Sequence, residues 1–294
     1  MRYRVIHKTE YLYSQPVSRC YNQGRLLPRN FVRQNCINSN LTVDPWPADC
    51  YEHEDFFGNR VAYFAIHSTH TQLTVTATSE VQIAPEGGGL DFSQESSWEM
   101  GRDRLQTNGN PNIIDARQYV LDSPMIVATR ELAAYAKSSF PKGRALIDAV
   151  HDLMQRIHRD FTYDPGFTTI ATPLSDVLKH RRGVCQDFAH LAIGCLRAQG
   201  LASRYASGYI ETFPPPGQTK LVGADASHAW FSVYVPDTGW FDFDPTNNQM
   251  PMDKHITVAW GRDFSDVTPL KGVIYGGGKH KLDVSVDVKN LGVS

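Results

Sequence analysis

Apolar residues change their spacing twice along this chain, and the change restricts it to a mixed α+β fold. From residue 1 to about residue 85 they alternate with polar ones. Tyr3, Val5 and His7 show it, as do Leu41 and Val43, and Leu73, Val75 and Ala77 set against Thr74, Thr76 and Thr78. Period two is the mark of strands with one face buried. Phe57-Gly58-Asn59-Arg60 reads as a hairpin turn. Short strands punctuated by Gly, Pro and Asn predict an antiparallel β-sandwich over residues 1–85. Pro85-Glu86-Gly87-Gly88-Gly89 then breaks the pattern. Residues 86–142 read as a linker and helical connection. Within them, 93–111 are polar and without period, and Pro124 opens a helical segment over 129–139. In 144–158, Leu146, Val150, Leu153 and Ile157 fall on one helical face. Beyond Gly200 the period returns to two, over 204–210, 227–235 and 240–245. A closing strand carries Leu282, Val284, Val286 and Val288. Residues 143–294 are read as a second domain, including that strand.

Composition narrows the partners. The 294 residues carry a net charge of −2 and no basic block, which argues against nucleic acid. No apolar run reaches membrane-spanning length. The start, Met1 to Lys8, alternates and lacks the apolar core of a signal peptide, so a cytoplasmic protein is expected. Five cysteines with no CxxC pair fit reduced thiols better than a disulfide framework or a structural zinc site. His53, His67 and His70 read as solvated strand residues rather than a metal cluster. With no nucleotide loop, haem site or metal-ligand set, no cofactor is expected. Tyr11, Tyr13, Trp46, Phe56 and Phe57 are expected in the β-region core.

The chemistry concentrates at Gly183-Val184-Cys185-Gln186-Asp187-Phe188-Ala189-His190. Phe188, Ala189, Ala192, Cys195 and Leu196 recur at helical spacing, and Gly200 stands where a C-cap glycine belongs. A short helical turn is expected before it, over 175–179. Cys185 is thereby predicted in the first turn of a buried helix. Unpaired N–H groups and the positive end of the helix dipole favour a thiolate there, and Lys179, Arg181 and Arg182 add positive charge. Cys195, deep in the stripe, reads as a core residue.

His228 begins one predicted strand and Asp244 ends the next. In a hairpin those positions are neighbours. A two-residue loop at Asp237-Thr238 would place them on opposite faces. A three-residue loop or a bulge at Gly239 would place them on one face, and such a feature is assumed. Asp225 and Asp242 are rival carboxylates. His190 points about a third of a turn from Cys185 and reads as packing. The Pro-rich stretch Phe213-Pro214-Pro215-Pro216-Gly217, Trp230 and Tyr209 are expected beside a cleft.

Four ordered blocks carry a resemblance: Gly183 to Ala189; Gly200-Leu201-Ala202-Ser203-Arg204-Tyr205-Ala206-Ser207-Gly208-Tyr209; Ser227-His228-Ala229-Trp230; and Gly239-Trp240 with Asp244-Pro245-Thr246. Together they resemble the core of the transglutaminase-like superfamily, and the whole chain resembles its bacterial branch with a β-rich N-terminal domain. The resemblance implies a papain-like core, a cysteine helix packed on an antiparallel sheet. It also implies Cys185 as nucleophile, His228 as general base and Asp244 as orienting carboxylate. The expected reaction is thioester formation from a peptide, protein or small amide. The Cys185 N–H would serve the oxyanion, with Tyr163 a candidate second donor or a plain packing residue. Hydrolysis is favoured, because keeping water from the thioester needs an amine tunnel that no feature marks. Acyl transfer to an amine, a non-catalytic peptide-binding scaffold and a separate binding role for the N-terminal domain are the alternatives.

Overall fold

The computed structural model describes residues 1–84, 96–212 and 227–292. The Pro85–Gly89 break, the Pro-rich stretch and Asp225 lie outside the described residues. β1 (Arg2–Gly24) organises the N-terminal part. It buries Tyr3, Val5, His7 and Thr9 on one face, as the alternation predicts. Its register with β5 (His70–Ile83) shifts between Leu12 and Val17, around Pro16, which has no N–H to give a ladder. Before the shift β1 is flanked by β5 and β13 (His280–Gly292); after it, by β4 (Arg60–Ile66) and β12 (Leu270–Gly276). β2 (Gln34–Asp44) edges β5, and β3 (Asp49–Glu54) edges β4. The seven strands make one antiparallel sheet. Val43, Leu73 and Val75 of one half pack against Cys20, Phe64 and Ile66 of the other, so the bent sheet closes on itself as a sandwich.

Three details depart from expectation. The closing strand β13 pairs with β1, Val5 facing Val288 and His7 facing Val286, so it joins the N-terminal sheet and not the sheet of the cysteine helix. Alternation reports a strand's exposed and buried faces but not its neighbour. Trp46 and Phe56 are 84% and 81% exposed and are not core residues. His53 and His67 are exposed as expected, but His70 is buried, its Nδ1 2.8 Å from the Ser68 carbonyl oxygen.

Between the two β-regions lie α1 (Trp98–Thr107), α2 (Pro111–Arg117), α3 (Arg130–Ala136) and α4 (Leu146–Asp160). α1 forms within the stretch that lacked a period. The Ser97 hydroxyl accepts from the Met100 N–H, and only Trp98, Gly101 and Leu105 are buried, too few for a readable stripe. β6 (Thr162–Tyr163), α5 (Leu174–His180) and β7 (Arg182–Gly183) lead to α6 (Cys185–Ala198). α6 ends at Gly200, φ 78°, with Gly200 N–H bonded to the Arg197 oxygen and Leu201 N–H to the Leu196 oxygen. It packs on a four-stranded antiparallel sheet ordered β10 (Gly239–Phe243), β9 (Ser227–Val235), β8 (Ser203–Ile210), β11 (His255–Gly261). The one-turn helix α7 (Phe264–Val267) follows β11.

One apolar core joins the parts, with Tyr3, Val5, Val81, Val286 and Val288 packed in the same cluster as the α6 residues. Buried polar pairs fix the junction. The Gln34 side chain donates to the Thr257 carbonyl at 2.7 Å and accepts from its N–H at 2.8 Å. His7 Nδ1 lies 2.9 Å from the Tyr209 hydroxyl. No helix among the described residues is long and apolar enough to cross a membrane.

Candidate active site

The cysteine is delivered by a chain reversal. α5 stops at Arg181 in the left-handed conformation, φ 57°, and β7 pairs in parallel with β6. Val184, extended, precedes Cys185 at the first helical position. Valine offers no capping oxygen, so Asp187 supplies one. Its Oδ2 accepts the Val184 N–H at 2.8 Å and the Thr168 hydroxyl at 2.7 Å. Burial pushes the Asp187 carboxyl up, while these two donors pull it down. A Cβ on Gly183 would stand 2.8 Å from Asp187 Cβ and Oδ2, so glycine is what lets the acid fold back over the turn.

The hairpin supplies the second side chain and aims the third. Val235 pairs with Gly239, leaving Pro236, Asp237 and Thr238 as a three-residue loop. Asp237 (φ 69°) and Gly239 (φ 116°) take up the reversal. The register places His228 and Asp244 on one face, as the sequence reading assumed. Asp244 lies one residue beyond β10 and bridges Gln249, closing a tight loop in which the Thr246 and Asn247 N–H groups donate to its Oδ1 at 3.0 and 3.2 Å.

Asp244 Oδ2 is the hub. His228 Nε2 lies 2.8 Å from it, His255 Nε2 3.0 Å and Asn247 Nδ2 2.7 Å. A carboxylate only accepts, so His228 donates its Nε2–H to Asp244, which leaves Nδ1 as the ring's basic nitrogen, and Cys185 is close enough to bias the imidazole. Burial alone would lower His228. Hydrogen bonds to Asp244 and Cys185, with their charges, outweigh it and raise the imidazole from 6.5 to about 10. Burial likewise opposes ionisation of Asp244, but its two histidine partners hold it well below the usual carboxylate range. The His228, Asp244 and His255 donor atoms lie within 4.8 Å of one another, a spacing a cation could bridge, yet both imidazoles already spend their Nε2–H on the same oxygen.

The remaining sequence candidates separate. Tyr163 is 53% exposed, its ring edge-on to Phe188, and burial and the Cys185 charge raise its phenol, so it stands at the mouth of the site. His190 is buried away from the hub. Its Nε2 accepts the Phe264 N–H at 3.2 Å, and burial lowers it to about 4. Asp242 accepts from the Ser232 hydroxyl, its direct cross-strand partner. Trp230 and Tyr209 are buried within the sheet, packed under the strands. A cavity of about 670 Å³ borders α6 at Asp187 and His190, among others. Gln186 lines it as well, so the lining positions of α6 lie from about 100° to about 160° around the helix from Cys185, beside the thiol's face and not on it. His255 and Asn247 were not singled out in the sequence. The β-branched run Ile256-Thr257-Val258 was the available signal for β11 and hence for His255.

Residues 133–245 match the transglutaminase-like superfamily, and residues 3–82 match the bacterial transglutaminase-like N-terminal region. The chain is 45% identical to an uncharacterized protein of Mycobacterium tuberculosis, over 98% of this chain and 92% of that one. The chain belongs to the transglutaminase-like superfamily. A second relative, an uncharacterized protein of Mycobacterium leprae, is 32% identical over 99% of both chains. A crystal structure of a candidate cysteine protease from Cytophaga hutchinsonii superposes with a TM-score of 0.78, covering 100% of this chain and 92% of that one at 21% identity. That likeness shows the shared fold, the transglutaminase-like core with its papain-like arrangement of cysteine helix on sheet.

Proposed function

We propose that this transglutaminase-like protein is a cysteine hydrolase that cleaves an amide bond through a thioester on Cys185. The observation that carries the reading is His228, held by Asp244 at 2.8 Å on one nitrogen, with Cys185 among the neighbours that raise its imidazole. The Cys185 sulfur, its proton passed to His228, attacks the amide carbon. The negative oxygen faces the first-turn N–H of Cys185, with the Tyr163 hydroxyl as second donor. The C–N bond breaks as the His228 imidazolium gives its proton to the leaving amine. Water then adds to the thioester while His228 takes its proton. Collapse releases the acid, and the proton returns to the sulfur. Asp244 orients the ring throughout and stabilises its charged form.

Half-exposed Tyr163 beside the thiol supports access of water to the thioester. A specific observation favours a second reading, acyl transfer to an amine. Over 126 residues, 38% of this chain, the sequence is 28% identical to a protein-glutamine gamma-glutamyltransferase of Pseudomonas aeruginosa. The substrate on either reading is a peptide, a protein or a small amide. All five cysteines are free, which supports a reducing, cytoplasmic compartment. Mass spectrometry of a glutamine-containing peptide incubated with the protein, with and without a primary amine, separates the readings. Hydrolysed peptide in both samples is expected. Amine conjugate with no hydrolysis would overturn the hydrolase assignment.

A further inference from the structure

We infer that His255 is a positioning residue that limits how tightly Asp244 holds the proton of His228, an inference that rests on the role proposed for His228. The geometry carries it. His228 and His255 come from different strands, β9 and β11, and bring their Nε2 atoms to the same carboxylate oxygen, at 2.8 and 3.0 Å. Since that oxygen can only accept, each ring donates to it. The carboxylate's charge is thereby divided between two imidazole donors and the Asn247 amide, where one histidine would suffice to orient a base.

His255 is not placed as ordinary packing. It is buried, its Nδ1 has no protein hydrogen-bond partner, and Asp244 is the one polar contact its ring makes among the described residues. Trp230 meets it edge-on, centroids 5.1 Å apart at 81°, and holds the plane of the ring. Tethering alone does not account for it, because Thr246 N–H, Asn247 N–H and Asn247 Nδ2 already anchor Asp244.

The consequence follows from proton transfer. A base that holds its proton too firmly is a poor acid for the leaving amine at neutral pH. A second donor on Oδ2 draws electron density from the oxygen that faces His228 and loosens the hold. His228 itself faces Cys185 of α6, Asp244 beyond β10 and His255 of β11, whose ring centroid lies 5.8 Å from its own as well as sharing the acid. Behind His255 a cavity of about 20 Å³ also carries Arg33 and Asp242. Those two charges remain unchanged in the variants below.

Nitrogen-15 histidine NMR titration of the full chain tests the inference, with His255→Gln, which keeps an N–H donor, and His255→Met, which keeps bulk without one. His255 of the native chain is expected to carry its proton on Nε2. The His228 midpoint is expected to rise by roughly one pH unit in His255→Met and to hold its native value in His255→Gln. Equal midpoints in all three proteins, or the same shift in both variants, would overturn it. Should His255→Met fail to fold, the native tautomer decides: a proton on Nδ1 alone would leave Asp244 no donor from this ring and end the inference. Peptide hydrolysis by the native chain is scored separately. Turnover with an indifferent His255 defeats only this inference, and absence of turnover defeats the hydrolase reading.

Discussion

Val235 lies opposite Gly239 across the β9–β10 hairpin, and this one pairing puts His228 and Asp244 on the same face of the sheet. Were the loop one residue shorter with the sequence otherwise aligned, the carboxylate would face away from the imidazole. The reversal needs Gly239 at φ 116°, a region closed to most side chains. Nothing lies within 4 Å of where its Cβ would be, so strain and not collision is at stake. Gly239→Ala is expected to lower stability by about 1–2 kcal/mol, measured as a fall in the urea midpoint. An unchanged midpoint would mean the turn tolerates a side chain.

Asp244→Asn removes the charge while keeping the shape. Turnover is expected to fall by roughly three to four orders of magnitude, because the ring loses the partner that selects its tautomer. Steady-state kinetics on any amide the native chain hydrolyses checks this.

The same pair makes stability depend on pH in a defined way. His228 is raised from 6.5 to about 10, so its contribution is whole below pH 6.5 and is lost as pH climbs through about 10. Asp244 is displaced downward from 3.8, so its contribution is whole above that value and drains as pH falls toward the depressed one. The gap in melting temperature between the native chain and Asp244→Asn is expected to be widest between pH 3.8 and 6.5 and to narrow as pH climbs through about 10. A gap independent of pH would contradict the pairing.

Two histidines outside the site set the acid limb. Burial lowers both His7 and His190 from 6.5 to about 4, so the folded chain holds them neutral while the unfolded chain protonates them. Stability is therefore expected to fall as pH drops from 6.5 to about 4, before most carboxylates titrate. His7→Gln, read by urea midpoint against pH, should flatten that limb. An equally steep limb in the variant would contradict it.

Asp187→Ala takes from α6 the side-chain oxygen that receives the Val184 N–H. A loss of about 1–2 kcal/mol is expected by chemical denaturation, with slower Cys185 labelling as the helix start frays. Native labelling at native stability would show that the cap is idle.

The site was legible where its signals were local. Cys185 follows a glycine turn and opens an apolar stripe, His228 heads a run of alternating residues, and Asp244 precedes the proline that ends one. The loop between the last two had to be assumed, since loop length cannot be read from Pro236 to Gly239 without the pairing. His255 stayed hidden because its place depends on β11 pairing with β8, His255 against Ile210, across an intervening hairpin. The partner of β13 was hidden for the same reason: long-range pairing leaves no trace in either strand alone. Trp46 and Phe56 misled because hydrophobicity states what a side chain prefers, not where a loop can carry it.

Site-resolved alkylation of the five cysteines by iodoacetamide at neutral pH is the most direct test. Cys50 is exposed and Cys36 partly so, and accessibility alone ranks Cys50 ahead of the partly buried Cys185. Cys185 labelling fastest in the native chain, and falling to the Cys50 rate or below in His228→Ala, is the predicted result. Cys185 labelling no faster than Cys50, or at a rate indifferent to the loss of His228, would contradict the nucleophilic centre.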